Sequence, residues 1–122
     1  MKKTLKRIQQ GKAKLLESES EESLLQKTIA LAHLKGWLVH HVRPAWSKQG
    51  YRTPLQGDKG FPDLVMVKES AKPSGEGYTR LVFVEVKSEK GTFSPEQKQW
   101  QELLEGTYDV EYYVFRPSLW EG

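Results

Sequence analysis

Between Glu21 and Gly36, Leu24, Leu25, Thr28, Leu31 and Ala32 recur at the three- and four-residue spacing of one helix face. Gly36 suits the position just past a helix end, so the pattern predicts a helix over about 21–35. By the same arithmetic Glu22, Gln26, Ile29 and His33 share another face. The pattern then changes. "WLVHHVR" is rich in β-formers and stops at Pro44, which predicts a strand over 37–43. "PDLVMVK" predicts a second strand over 63–68, and "LVFVEVK" lies in a third over about 79–87. Between them "ESAKPSGEGYT" carries the turn signals of a hairpin connection. "SPEQKQWQELLEG" supplies Ser94 as N-cap, Pro95 at the first helical position and Gln97 at the third, a capping box, with Gly106 closing the helix. "DVEYYVFR" is a last strand ended by Pro117, and "SLWEG" is suited to a short terminal turn. The elements follow an αβββαβ order, an α/β plan.

At 122 residues and 37% hydrophobic content the chain has the size of one domain with one core. It holds no cysteine, which excludes disulfides, thiolate metal sites and a cysteine nucleophile, and fits a reducing compartment. No apolar run approaches a membrane span, so a cytoplasmic location is the default expectation. The net charge of +3 is unevenly placed, with six Lys/Arg against two Glu in residues 1–20. The expected organisation is a basic arm over 1–20 and a folded domain over 21–122. Lys2, Lys3, Lys6 and Arg7 can lie along phosphates, or the arm can be a solubilising tail. The long segment 44–61 places Lys48, Arg52 and Lys59 among Trp46 and Tyr51, with Arg43 just before it, a mixture suited to a nucleic-acid backbone and unstacked bases.

Candidate chemistry sits at the end of the third strand. Alternating strand side chains put Glu85 and Lys87 on one face about 7 Å apart, with Val84 and Val86 on the other. If strands two and three pair through the hairpin, Asp63 lies opposite the end of strand three. Two carboxylates and a lysine then converge. Mg²⁺ or Mn²⁺ takes such hard oxygens, with Asp63 and Glu85 as ligands and the Val86 carbonyl placed to join them. Lys87 could orient or deprotonate an attacking water, or stabilise charge on phosphorus, and the implied chemistry is phosphodiester hydrolysis. Alone, the E-x-K pair also reads as a solvated ion pair. Glu22 could support a water or a second metal from the helix face. His33, His40 and His41 lack a recurring metal-ligand spacing, Trp100 reads as core packing, and Arg116 could reach a phosphate.

"EESLLQ", "GFPD", "VEVK" and "SPEQKQW", in this order, resemble the VRR-NUC group of the PD-(D/E)xK nuclease superfamily over about Glu21 to Trp120. The resemblance implies a restriction-endonuclease-like αβββαβ core with a mixed central sheet flanked by helices. It also implies metal binding by Asp63 and Glu85, a water-serving role for Lys87, and site roles for Glu22, paired with Gln26, and for Gln97. Members that stand alone are similar to Holliday junction resolvases, so it further implies branched DNA as substrate and a homodimer. The competing expectations are a non-catalytic nucleic-acid-binding domain on the same fold, or a small interaction protein.

Overall fold

The computed structural model describes residues 18–41, 45–47, 50–52 and 56–121. Helix α1, Glu21–Leu34, starts where Ser20 adopts an extended backbone and its hydroxyl accepts the Ser23 N–H at 3.0 Å. Glu21 and Glu22 in the first turn oppose the positive end of the helix dipole. Leu24, Leu25, Thr28 and Ala32 form its buried stripe. The Thr28 hydroxyl can be buried because it donates to the Leu24 carbonyl at 2.8 Å.

The main sheet contains β1 (Leu38–His40), β4 (Leu64–Ala71), β5 (Gly77–Val86) and β6 (Val110–Phe115), in the order β1-β4-β5-β6. The first two pairings are antiparallel and β5–β6 is parallel, so the sheet is mixed as the resemblance implies. β1 is shorter than the strand expected over 37–43; residues 42–44 lie outside the described residues. Ala45–Ser47 (β2) and Gly50–Arg52 (β3) form a separate antiparallel hairpin in a segment expected to be a loop. Trp46 is in register with Tyr51.

Leu64, Met66, Val82, Val84 and Val86 make one face of the sheet and form the core with Leu24, Leu25 and Ala32 of α1. Helix α2, Pro95–Glu105, lies on the other face and buries no residue completely. Its N-terminus is held by the capping box that the sequence signals: the Ser94 hydroxyl accepts from Gln97 N at 3.1 Å, and Gln97 Oε1 accepts from Ser94 N at 2.9 Å. A short 3₁₀ turn, Pro117–Glu121, follows β6. Among the described residues no helix is long and apolar enough to cross a membrane.

The "GFPD" segment is fastened onto α2. Trp100 Nε1 donates to the Lys59 carbonyl at 2.8 Å, so this tryptophan, expected only to pack, also anchors the loop. Phe61 packs edge-on against both Trp100 and Phe83, at centroid distances of 5.0 and 5.8 Å. Gly60 has φ +93°, and a Cβ there would lie 2.6 Å from the Glu96 carbonyl carbon and 2.7 Å from Gln97 N. Neither the conformation nor the backbone contact accepts a side chain. Gly60→Ala should therefore cost roughly 1–3 kcal/mol in chemical denaturation. An unchanged stability would show that the loop does not depend on this approach.

Candidate active site

The β4–β5 register places Leu64 opposite Val84, which brings Asp63, just before β4, alongside Glu85. Asp63 Oδ2 accepts the Val86 N–H at 2.7 Å, a bond that fixes its carboxylate against β5. Glu85 and Lys87 are only 2% and 6% exposed, far from the solvated ion pair that an E-x-K sequence also permits. Lys87 Nζ stands 3.7 Å from Glu85 Oε1 and 5.2 Å from the centre of the Phe93 ring.

Gln97 joins these charges. Its Oε1 accepts from Lys87 Nζ at 2.9 Å and its Nε2 donates to Glu85 Oε1 at 3.3 Å. The same Oε1 accepts from Ser94 N, so the cap and the contacts with Lys87 and Glu85 are made by one side chain at once. Two donors face the amide oxygen and a carboxylate faces the amide nitrogen, which sets the amide's orientation. Every described buried side-chain nitrogen or oxygen in the chain has a hydrogen-bond partner.

The cluster stores electrostatic tension. Burial pushes the Glu85 carboxyl up to about 8, and the adjacent Asp63, by its charge and hydrogen bonding, adds to the rise. Lys87 partly opposes the shift and Glu21 adds to it. A buried carboxyl that resists ionisation, between a second carboxylate and a buried ammonium, is an unusual arrangement for packing alone.

The α1 carboxylate that reaches the cluster is Glu21. Its Oε1 lies 3.5 Å from Ser88 N, immediately after Lys87. Glu22, the sequence candidate, instead accepts from Gln26 Nε2 at 3.1 Å on the exposed side of α1. Successive helix residues differ by about 100° in direction, so one carboxylate faces the sheet while its neighbour turns away. The signal was present: extending the stripe of Leu24, Leu25, Thr28 and Ala32 backward by one turn reaches Glu21. Glu21→Ala should slow cleavage roughly tenfold while Glu22→Ala changes it little. Equal rates in the two variants would reject the assignment.

Of the proposed nucleic-acid contacts, Lys59 and the backbone of Arg52 are among the described residues. Lys59 is exposed, with its carbonyl bonded to Trp100, and Arg52 falls in β3. Arg43, Lys48, Lys2, Lys3, Lys6 and Arg7 lie outside the described residues. His33 and His40 are exposed and His41 is partly buried; no group of three His, Cys, Asp or Glu among the described residues forms a metal cage.

A mixed sheet between helices, with an acidic pair and a lysine converging at one end, is an α/β restriction-endonuclease-like core. The model of the VRR-NUC domain family matches residues 6–117, and the chain belongs to that family, with the nuclease type of function the family implies. The match begins within the stretch whose charge suggested an arm. Comparisons with curated proteins and with solved structures find no match.

Proposed function

We propose that the chain is a Mg²⁺- or Mn²⁺-dependent DNA endonuclease that hydrolyses phosphodiester bonds, with branched DNA such as Holliday junctions as its substrate. The observation that carries this reading is the joining of Asp63, Glu85, Lys87 and Gln97 in one hydrogen-bonded cluster around the buried Glu85 and Lys87.

The donor set fits a hard divalent cation. Asp63 and Glu85 supply carboxylate oxygens, and their mutual repulsion is of the kind that a bound cation relieves. They would hold the metal together with the Val86 carbonyl, and the remaining positions would be left to water and phosphate. When bound, the metal polarises the phosphate and lowers the pKa of water. The chain's own contribution is orientation. Val86 N–H aims Asp63, and Gln97 holds the Lys87 ammonium and the Glu85 carboxylate in fixed relation. Lys87 then has two tasks within reach: placing the attacking water and meeting charge that grows on the phosphate oxygens.

The basic arm over 1–20 supplies sequence-independent attraction to phosphates. A homodimer would present two such sites to the two strands of a junction, and the cytoplasm is the compartment that suits the chain. The test is cleavage of end-labelled junction, flap and duplex DNA with Mg²⁺ and with chelator. Metal-dependent cuts, strongest on junctions, support the reading. Cleavage that persists in chelator rejects the metal mechanism, and preference for linear duplex rejects the branched substrate.

A further inference from the structure

β6 ends at Phe115, whose carbonyl accepts the Lys87 N–H at 2.9 Å. The strand end thus binds the backbone of the residue whose ammonium faces Glu85. The next side chain continues that hold. Arg116 Nη1 donates to the carbonyls of Ser88 at 2.8 Å, Gly91 at 2.9 Å and Glu89 at 3.2 Å. One nitrogen carries two hydrogens, so the longest bond shares a hydrogen with another. The arginine that, by sequence, could reach a phosphate or not is turned onto the loop that follows β5.

That loop is tied from three other directions. Gly91 N donates to the Ser88 carbonyl at 3.1 Å, Ser118 N donates to Glu89 Oε2 at 3.1 Å, and Ser88 N approaches Glu21 Oε1. A Cβ at Gly91 would come within 2.9 Å of Ser88 Oγ and 3.2 Å of Glu21 Oε1, so the loop is closed tightly against α1. Three carbonyl oxygens aimed at one point repel one another, and a donor that is always charged offsets this. All three bonds come from Nη1, so a lysine there keeps the charge but carries it on a shorter side chain.

We infer that Arg116 is a positioning residue for the hydrolysis proposed above: by gathering the 88–91 carbonyls it sets the backbone that presents Lys87 and Glu21 to the Asp63–Glu85 pair. The inference rests on the nuclease reading. A guanidinium aimed at phosphate changes binding, whereas one aimed at loop carbonyls changes turnover.

The test uses the full chain with Arg116→Ala and Arg116→Lys. Single-turnover cleavage is measured with Mg²⁺, DNA affinity is measured separately in chelator over a range of salt, and amide exchange is followed at Ser88–Gly91. The expected result is a rate lowered roughly ten- to a hundredfold, with DNA affinity and its salt slope unchanged. Exchange at the loop amides should accelerate. Added guanidinium should restore part of the Arg116→Ala rate without helping Lys87→Ala. An unchanged rate overturns the inference, as does weaker DNA binding with a salt slope reduced by about one, the mark of a lost phosphate contact. If Arg116→Ala does not fold, Arg116→Lys decides by the same readouts. If wild-type protein cleaves no DNA, the nuclease reading fails and the positioning role fails with it; loop exchange still shows whether the clamp exists.

Discussion

Asp63→Ala, Glu85→Ala and Lys87→Ala should each lower single-turnover cleavage by roughly 10²- to 10⁴-fold with Mg²⁺ present, the range seen when charge-stabilising or proton-transfer groups are removed. The three losses arise differently. Without Asp63, the Val86 N–H loses its acceptor and Glu85 loses the carboxylate beside it. Without Glu85, Gln97 Nε2 and Lys87 Nζ both lose their carboxylate partner. Without Lys87, a cation that favours ionised Glu85 is gone, so its carboxyl holds its proton more firmly. Combining Glu85→Ala with Lys87→Ala should cost little more than either alone, because groups that act as a unit are not additive. Retention of near wild-type rates by any single variant, with a normal circular dichroism spectrum, would remove that residue from the mechanism.

The second large effect concerns stability in the absence of metal. Glu85 keeps its proton up to about pH 8 in the folded chain, against an ordinary value of 4.5. Between those values the native state holds a proton that the unfolded chain has released, so raising the pH favours unfolding. This contribution is fully present below about pH 4.5, is withdrawn across the window, and is gone above about pH 8. The slope for one proton approaches about 1.4 kcal/mol per pH unit. In chelator, the Tm of wild-type protein should fall from about pH 5 to pH 8 more steeply than that of Glu85→Gln, which has no carboxyl to titrate there. Mg²⁺ should raise the wild-type Tm most at the upper end of the window, where it competes least with the proton. Parallel Tm curves for the two proteins would show that Glu85 does not carry this charge.

The parts of this site differ in how far the sequence exposes them. Asp63, Glu85 and Lys87 follow from alternation along β5 and from a hairpin that pairs β4 with β5, both local rules. The long turn over residues 72–76 left that register open; the eight paired positions from Leu64–Val84 to Ala71–Gly77 determine it. Gln97 is legible as a cap, but not its simultaneous bonds to Lys87 and Glu85, which depend on how α2 docks. The choice between Glu21 and Glu22 is a question of helix phase, which the Glu22–Gln26 spacing answered differently from the buried stripe. Arg116 illustrates a further limit. Charge at a strand end suggests a solvent-borne ligand, whereas its partners are carbonyls of a loop 25 to 28 residues earlier. The short β2–β3 hairpin was obscured by the prolines and glycines around it.

Divalent-cation binding at the Asp63–Glu85 pair is the central claim, and isothermal titration of Mn²⁺ into wild-type protein and into Asp63→Asn tests it without relying on activity. Wild-type protein should bind the ion, and the variant, which keeps the side chain's shape but loses its charge, should bind roughly tenfold or more weakly. Equal affinity in the two proteins would contradict the placement of the metal.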